Sequence, residues 1–320
     1  MTAGRRGRTR RLVVGAVTLA WLALGGATPG SLAEAQAPRL MGSPEEVYKA
    51  MIDALRAGDQ AAMLRLLGPD AKDLVSSGDA VADRQSWRGF VESYDRAHRL
   101  EASNGRVVLV IGTEEYPAPI PLVPDGEGWR FDTAAGREEL LDRRVGRNEL
   151  STIQVCLAIV DAQREYYVLG AGGTGYLEYA QRLISTQGKR DGLYWPTKPG
   201  ERPSPLGELA ARARAEGYKG VRGGSVPFHG YLYRLLTAQG PNAPGGAYDY
   251  VVRRHMIGGF GVVAFPARYG QTGVMTFIVN HDGVVYQKDL GATTARTAES
   301  MKVFDPDTTW KRVDAVTAAR

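Results

Sequence analysis

Cys156 is the single cysteine among 320 residues, and only four histidines accompany it, at 98, 229, 255 and 281. One thiol cannot close an internal disulfide, so the fold must rest on its core. The histidines show neither H-x-x-x-H nor H-E-x-x-H spacing, so no metal site and no cofactor are expected. A Gly-x-Ser-x-Gly elbow and a Walker loop are also missing. Gly170 to Gly175 ends a helical pattern instead of linking a strand to a helix, which argues against a phosphate cradle. Asp305-x-Asp307 starts like a calcium loop but lacks the glycine and the later glutamate. Tandem repeats and low-complexity runs are absent. The apolar run Leu12–Leu24, interrupted by Gly15 and Thr18, is too short for a comfortable membrane span.

That run does fit a targeting segment. Arg5, Arg6, Arg8, Arg10 and Arg11 precede it, and Ala33-Glu34-Ala35 follows as a small-x-small cleavage pattern. Residues 1–35 read as a signal peptide, and the expected location is the periplasm of a Gram-negative bacterium. Thr9-Arg10-Arg11-Leu12 also fits a twin-arginine signal, so both export routes stay open. The whole chain has 40 basic and 35 acidic residues; without residues 1–35, which hold five Arg and one Glu, the balance is 35 to 34. Nucleic-acid binding therefore has no electrostatic basis, and no stable membrane span is expected once the signal is removed.

Ser43-Pro44-Glu45-Glu46 starts a first helix, with Val47, Met51, Ala54 and Leu55 as its apolar stripe. Gly58-Asp59 ends it and caps a second. A third is expected from Arg84 to Leu100, carrying Trp87, Phe90, Val91, Tyr94 and His98 at helical spacing. Strands follow at Arg106–Ile111 and Gly128–Thr133. Between them Tyr116–Val123, broken by prolines, reads as an edge strand or extended loop. Ser76-Ser77-Gly78-Asp79, near Asp83 and Arg84, would need a base such as His98 to act as a nucleophile; capping and turn-building account for it as well. The expected fold class is α+β, with a first domain at 38–135. Its order of helix, Gly-Asp, helix and late Gly-x-Trp strand resembles the cone-shaped nuclear-transport-factor/SnoaL-like fold.

A second α+β domain is expected at 137–314, with a frayed tail at 315–320. Its long helix runs from Arg137 to Leu169, with Ile153, Cys156, Leu157, Val160 and Tyr167 inward, so Cys156 reads as a buried, inert thiol. A short helix over 176–184, a surface connection at 196–205, a helix ending at Gly217, and strands from Phe228 onward come next. Gly259–Gly291 organises the rest, as a strand and then a hairpin around Asp282-Gly283. A two-residue type I′ turn there pairs Val279 with Tyr286 and Phe277 with Lys288, burying Phe277, Val279 and Tyr286 together. Lys288 then lies on an apolar face.

The segments LLGPDAKDLVSSGDAVADRQSWRGFVESYDRAHRL, YAQRLISTQGKRDGLYWP, LTAQGPNAPGGAYDYVV, YGQTGVMTFIVNHDGVVYQKDLG and FDPDTTWKRV resemble an uncharacterised family of exported bacterial proteins, DUF 2950. The resemblance implies an envelope protein and no particular chemistry. Asn148-Glu149, Ala162-Gln163, Tyr166-Tyr167, Gly175-Tyr176 and Phe277–Gly283 resemble the globular part of type IV pilin-like proteins, in which a helix packs on an antiparallel sheet. The continuous N-terminal apolar helix of a pilus subunit is absent.

Lys189, Arg190, Asp191, Tyr194, Trp195, Asn242, Arg268, Tyr269 and Lys288 mix cations with aromatics in Gly/Pro-rich connections, a composition suited to sugars or acidic peptides. They are the expected binding surface, with 189–195 and 268–269 converging on one rim. The expected function is a non-catalytic envelope protein that binds another envelope protein or polymer. The alternative is a hydrolase or isomerase using His98 or His281 with nearby carboxylates.

Overall fold

The computed structural model describes residues 41–218 and 226–313. The signal-peptide expectation and the frayed tail lie outside them. Ser43 caps the first helix, α1 (Pro44–Ala57), its side chain accepting from the Glu46 N–H, and Gly58 ends that helix at φ 67°. Asp59 caps α2 (Gln60–Leu67) through the Ala62 N–H. The one-turn helix α3 (Lys72–Val75) and then α4 (Ala80–Arg96) complete the first helical layer.

His98 does not extend α4. It opens β1 (His98–Ser103), which pairs antiparallel with β2 (Arg106–Ile111). The turn between them is Asn104-Gly105, at φ 52° and 73°, the pairing of positive dihedrals that a two-residue hairpin turn requires. That local turn outweighs the helical spacing of Tyr94 and His98. The proline-rich stretch splits into β3 (Tyr116–Pro117) and β4 (Leu122–Asp125), both alongside β2. β4 also pairs with β5 (Gly128–Phe131), so it is an inner strand and not an edge. Pro119 and Pro121 fall in the break, where no ladder N–H is needed. Against this sheet α1 and α2 bury Val47, Tyr48, Met51, Ile52 and Leu66.

Asp132 caps α5 (Thr133–Leu169), a helix of 37 residues and about 55 Å long at 1.5 Å per residue. Its first turns lie on the first core: a Cβ at Gly136 would come within 2.5 Å of the Pro119 carbonyl. Ile153, Cys156, Ile159, Val160 and Tyr166 belong to a second core. The Cys156 thiol is fully buried, and burial pushes its pKa up to about 12.

Residues 176–184 are not helical. The Gln163 amide holds both backbone groups of Ala180, at 2.8 Å each, and the Tyr179 N–H donates to Met256, so tertiary hydrogen bonds replace helical ones. α6 (Gly207–Glu216) ends on Gly217 at φ 101°. Then come β6 (Tyr231–Leu236), the short strands β7 (Ala238–Gln239), β8 (Tyr248–Asp249), β9 (Val251–Val252) and β10 (His255–Met256), and the long pair β11 (Gly261–Pro266) and β12 (Met275–Asn280). The chain finishes with β13 (Val285–Asp289), α7 (Thr294–Ser300), β14 (Val303–Phe304) and β15 (Lys311–Arg312). The main sheet runs β15-β13-β12-β11-β6.

The hairpin register is one residue from the expected one: Phe277 faces Gln287, Ile278 faces Tyr286 and Val279 faces Val285. Only Gly283 has positive φ, 79°, and its N–H closes the turn on Asn280 at 2.9 Å. A type I turn followed by a left-handed glycine makes a three-residue loop, where a type I′ turn would make two. Phe277 and Val279 are buried under α5 as expected. Tyr286 is half-buried on the opposite face, with Ile278 and Phe304. Thr276, Ile278 and Asn280 are also buried there, so neither face of β12 is wet. Lys288 shares this face and lies 5.8 Å from the Trp310 ring, away from Phe277.

Candidate binding cavity

Between α4 and α5, above the first core, lies a cavity of about 760 Å³, inside the range of about 300–1,000 Å³ typical of small-molecule pockets. The inner wall is apolar: Met51, Leu55, Met63 and Leu67 from α1 and α2, Trp87 and Phe90 from α4, Ile120 from the break between β3 and β4, and Phe131 from β5. One end is polar, where Asp83, Arg144, Arg147, Asn148 and His229 meet.

Each of these groups is placed by local structure. Gly78, at φ 97°, turns the chain into α4, and a Cβ there would lie 2.9 Å from Arg268 Nε. Asp79 is 4% exposed. One of its oxygens caps α4, accepting from the Val81 and Ala82 N–H groups. The other accepts from the Tyr218 hydroxyl at 2.8 Å and the Gly230 N–H at 3.0 Å. This carboxylate joins the first helical layer to the sheet strand that follows Gly230. One turn on, Asp83 accepts from the Ser77 N–H at 3.0 Å, and burial pushes its carboxyl pKa up.

Arg144 donates to the Asp73 and Leu74 carbonyls at 2.7 and 2.6 Å, closing the open end of α3. Burial lowers its pKa, though a guanidinium remains charged at any working pH. Arg147 donates to the Ser86 hydroxyl at 3.0 Å across the cavity mouth. The Asn148 amide bonds the Thr272 carbonyl at 2.9 Å. His229 has φ 50°, its N–H donates to the Tyr218 oxygen, and its Nε2 lies 3.4 Å from Glu216 Oε2. Burial lowers its pKa against the opposing pull of Glu216. A carboxyl held up and an imidazole held down by burial both line this one cavity, the kind of pairing that marks a candidate site.

The two histidines expected to anchor an enzyme are elsewhere. His98 is exposed and stacked on Tyr94 at 3.8 Å. His281 packs on Tyr250 and Phe260 beyond the far end of β12. Neither lines the cavity. Asp83 stands out in sequence only beside Ser76–Asp79, and no local spacing links it to Arg144, 61 residues on, or to His229.

The loop residues expected to form a rim are not brought together. Tyr166, near the end of α5, donates to the Arg190 carbonyl at 2.7 Å. Arg268 brackets Thr272, whose carbonyl is bonded to Asn148. Asn148 and Tyr166 are 18 residues apart on one helix, about 27 Å, so these loops occupy opposite ends. Trp195 is a core side chain, 9% exposed, under the Arg190 guanidinium. Asp191 holds the Thr186 N–H and hydroxyl, Tyr194 lies against Arg214, and Lys189 is exposed. Asn242 is fixed by Asp305, and Tyr269 donates to Asp289 at 3.2 Å. Among the described residues no group of three His, Cys, Asp or Glu could hold a metal ion, and no helix is long and apolar enough to cross a membrane.

The architecture is α+β: two five-stranded antiparallel sheets, with two smaller sheets beside them, served by one shared helix. Residues 39–313 match the model of a family described as Protein of unknown function (DUF2950), and the chain belongs to that family. No curated protein and no solved structure matches it.

Proposed function

We propose that this chain is an exported, non-catalytic binding protein of the bacterial envelope that takes a small, largely apolar molecule into the cavity between α4 and α5. The observation that carries this reading is the cavity itself: about 760 Å³, walled by apolar side chains and polar at one end. The leader-like residues 1–35 support export to the periplasm. The likeness of the first layer to cone-shaped folds and of the second to pilin-like modules supports a scaffold that carries a site. A ligand that binds only the folded state raises stability by RT ln(1 + [L]/Kd), about 2.7 kcal/mol at a hundredfold excess over Kd. A melting-temperature screen of amphiphiles and apolar metabolites should therefore produce saturable upward shifts. A flat screen would remove the reading. Fractionation of cells expressing the full chain should find it in the periplasm with residues 1–35 removed.

A second reading is favoured by one observation, that Asp83 and His229 line the same cavity, where burial pushes the first pKa up and the second down. Such pairs suit general acid–base chemistry, making the cavity the pocket of a hydrolase or isomerase. Asp83→Asn separates the two: a binding protein keeps its ligand affinity, while turnover of any substrate collapses.

A further inference from the structure

We infer that the occupant of the cavity is an amphiphile with an anionic head, a carboxylate or phosphate, held by Arg147 and Arg144 at the polar end. The inference rests on the binding reading above and adds the charge of the ligand. Four arginines line the cavity, Arg96, Arg143, Arg144 and Arg147, against two acids, Asp83 and Glu114. Arg143 is already answered by Glu139 at 2.5 Å and lies over the Tyr116 ring. Arg96, Arg144 and Arg147 are not answered by a carboxylate: Arg96, at the last turn of α4, bonds the Glu92 carbonyl and the Ser93 hydroxyl, and Arg144 and Arg147 sit together on α5 at the polar end. Arg144 spends its two terminal nitrogens on the neutral Asp73 and Leu74 carbonyls, and the Asp73 carboxylate is paired with Arg137 at 2.5 Å. Arg147 reaches only the Ser86 hydroxyl. Among the described residues neither arginine has a carboxylate within 4.0 Å.

Arg144 is half-buried beside the apolar wall and Arg147 is exposed, and two like charges one helical turn apart repel each other in the absence of a counter-ion. Asp83 feels Arg144 but makes its hydrogen bonds to Ser77. An incoming anion would supply the missing charge, and a guanidinium offers it paired donors in a fixed fork. The apolar wall leaves the remainder of that molecule hydrocarbon-like.

The test loads the full-length mature protein with the neutral apolar probe N-phenyl-1-naphthylamine and displaces it with decanoate, decyl phosphate, decan-1-ol or decyltrimethylammonium. The anions should compete at concentrations at least about tenfold below the alcohol, equivalent to about 1.4 kcal/mol, and the cation should be weakest. Arg147→Gln, at an exposed position, should erase the advantage of the anions while leaving decan-1-ol unchanged, which also shows that the variant is folded. Equal competition by decanoate and decan-1-ol, or an anion preference that survives Arg147→Gln, overturns the inference and leaves the cavity reading standing. No displacement by any chain overturns both. Decanoate and decyl phosphate, compared directly, identify which head the arginines prefer.

Discussion

Replacing Asp79 by alanine should cost about 3–5 kcal/mol, because that carboxylate does two jobs. Its first oxygen caps α4, and losing an N-cap costs about 1 kcal/mol. Its second oxygen is the partner of the Tyr218 hydroxyl and the Gly230 N–H, 139 and 151 residues away. Both donors are buried, and an orphaned buried donor costs about 1–3 kcal/mol. Asp59 is the control. It caps α2 through the Ala62 N–H but is exposed and reaches nothing distant, so Asp59→Ala should cost about 1 kcal/mol. Urea unfolding of both variants against the parent chain measures the difference. If the two substitutions cost the same within about half a kcal/mol, the scatter expected of independent sites, then Asp79 is only a helix cap, and the account of how the halves are joined is wrong.

Phe277→Ala should lose about 3–5 kcal/mol, the range for a fully buried aromatic, and a loss near zero in chemical denaturation would contradict its burial at 0% exposure. His229 gives a pH signature. Its folded pKa is depressed below 6.5 by burial, so the unfolded chain takes up the proton first on acidification. Its contribution to stability is present above that value and is lost as pH falls through the folded pKa. His229→Asn, which tolerates the left-handed backbone there, should flatten the fall in melting temperature between about pH 7 and pH 5. An unchanged slope would show that His229 titrates as if free. Limited proteolysis should cut first between 197 and 203, an exposed connection, and leave 240–246 intact. That second loop is pinned by Gln239 to the Pro244 and Gly246 carbonyls and by Asn242 to Asp305. Early cleavage within 150–167 would be incompatible with α5 as the helix shared by two α+β halves.

Signals confined to a few residues were the most legible in the sequence. Ser43-Pro44, Gly58-Asp59 and Gly170 mark helix ends where the structure has them, because each cap is an interaction within one turn. Asn104-Gly105 is a hairpin signal of the same kind as Asp282-Gly283, and both Asn104 and Gly105 have positive φ. The Asn104-Gly105 turn makes His98 the first residue of β1, against the helical spacing it shares with Tyr94. The Asp282-Gly283 register slipped because the same dipeptide serves two turn types, and only the dihedral of Asp282 tells them apart. The stretch 176–184 reads as helical in sequence, but its hydrogen bonds go to Gln163 and Met256, partners that sequence spacing does not reveal. The cavity left no local trace either. It is space between α4 and α5, and its polar end is assembled from Ser77, Asp83, Arg144 and His229, which meet only through the fold.

The central claim is that this space receives a ligand, and filling it is the direct test. Gly89 and Ser93 sit one turn apart on the α4 wall of the cavity, and a Cβ at Gly89 meets nothing within 4 Å. Gly89→Trp combined with Ser93→Trp should occupy the volume without straining the helix. Fluorescence titration with N-phenyl-1-naphthylamine should give one saturable site in the parent chain and none in the filled variant, at an unchanged or higher melting temperature. Equal binding by both proteins would contradict the account.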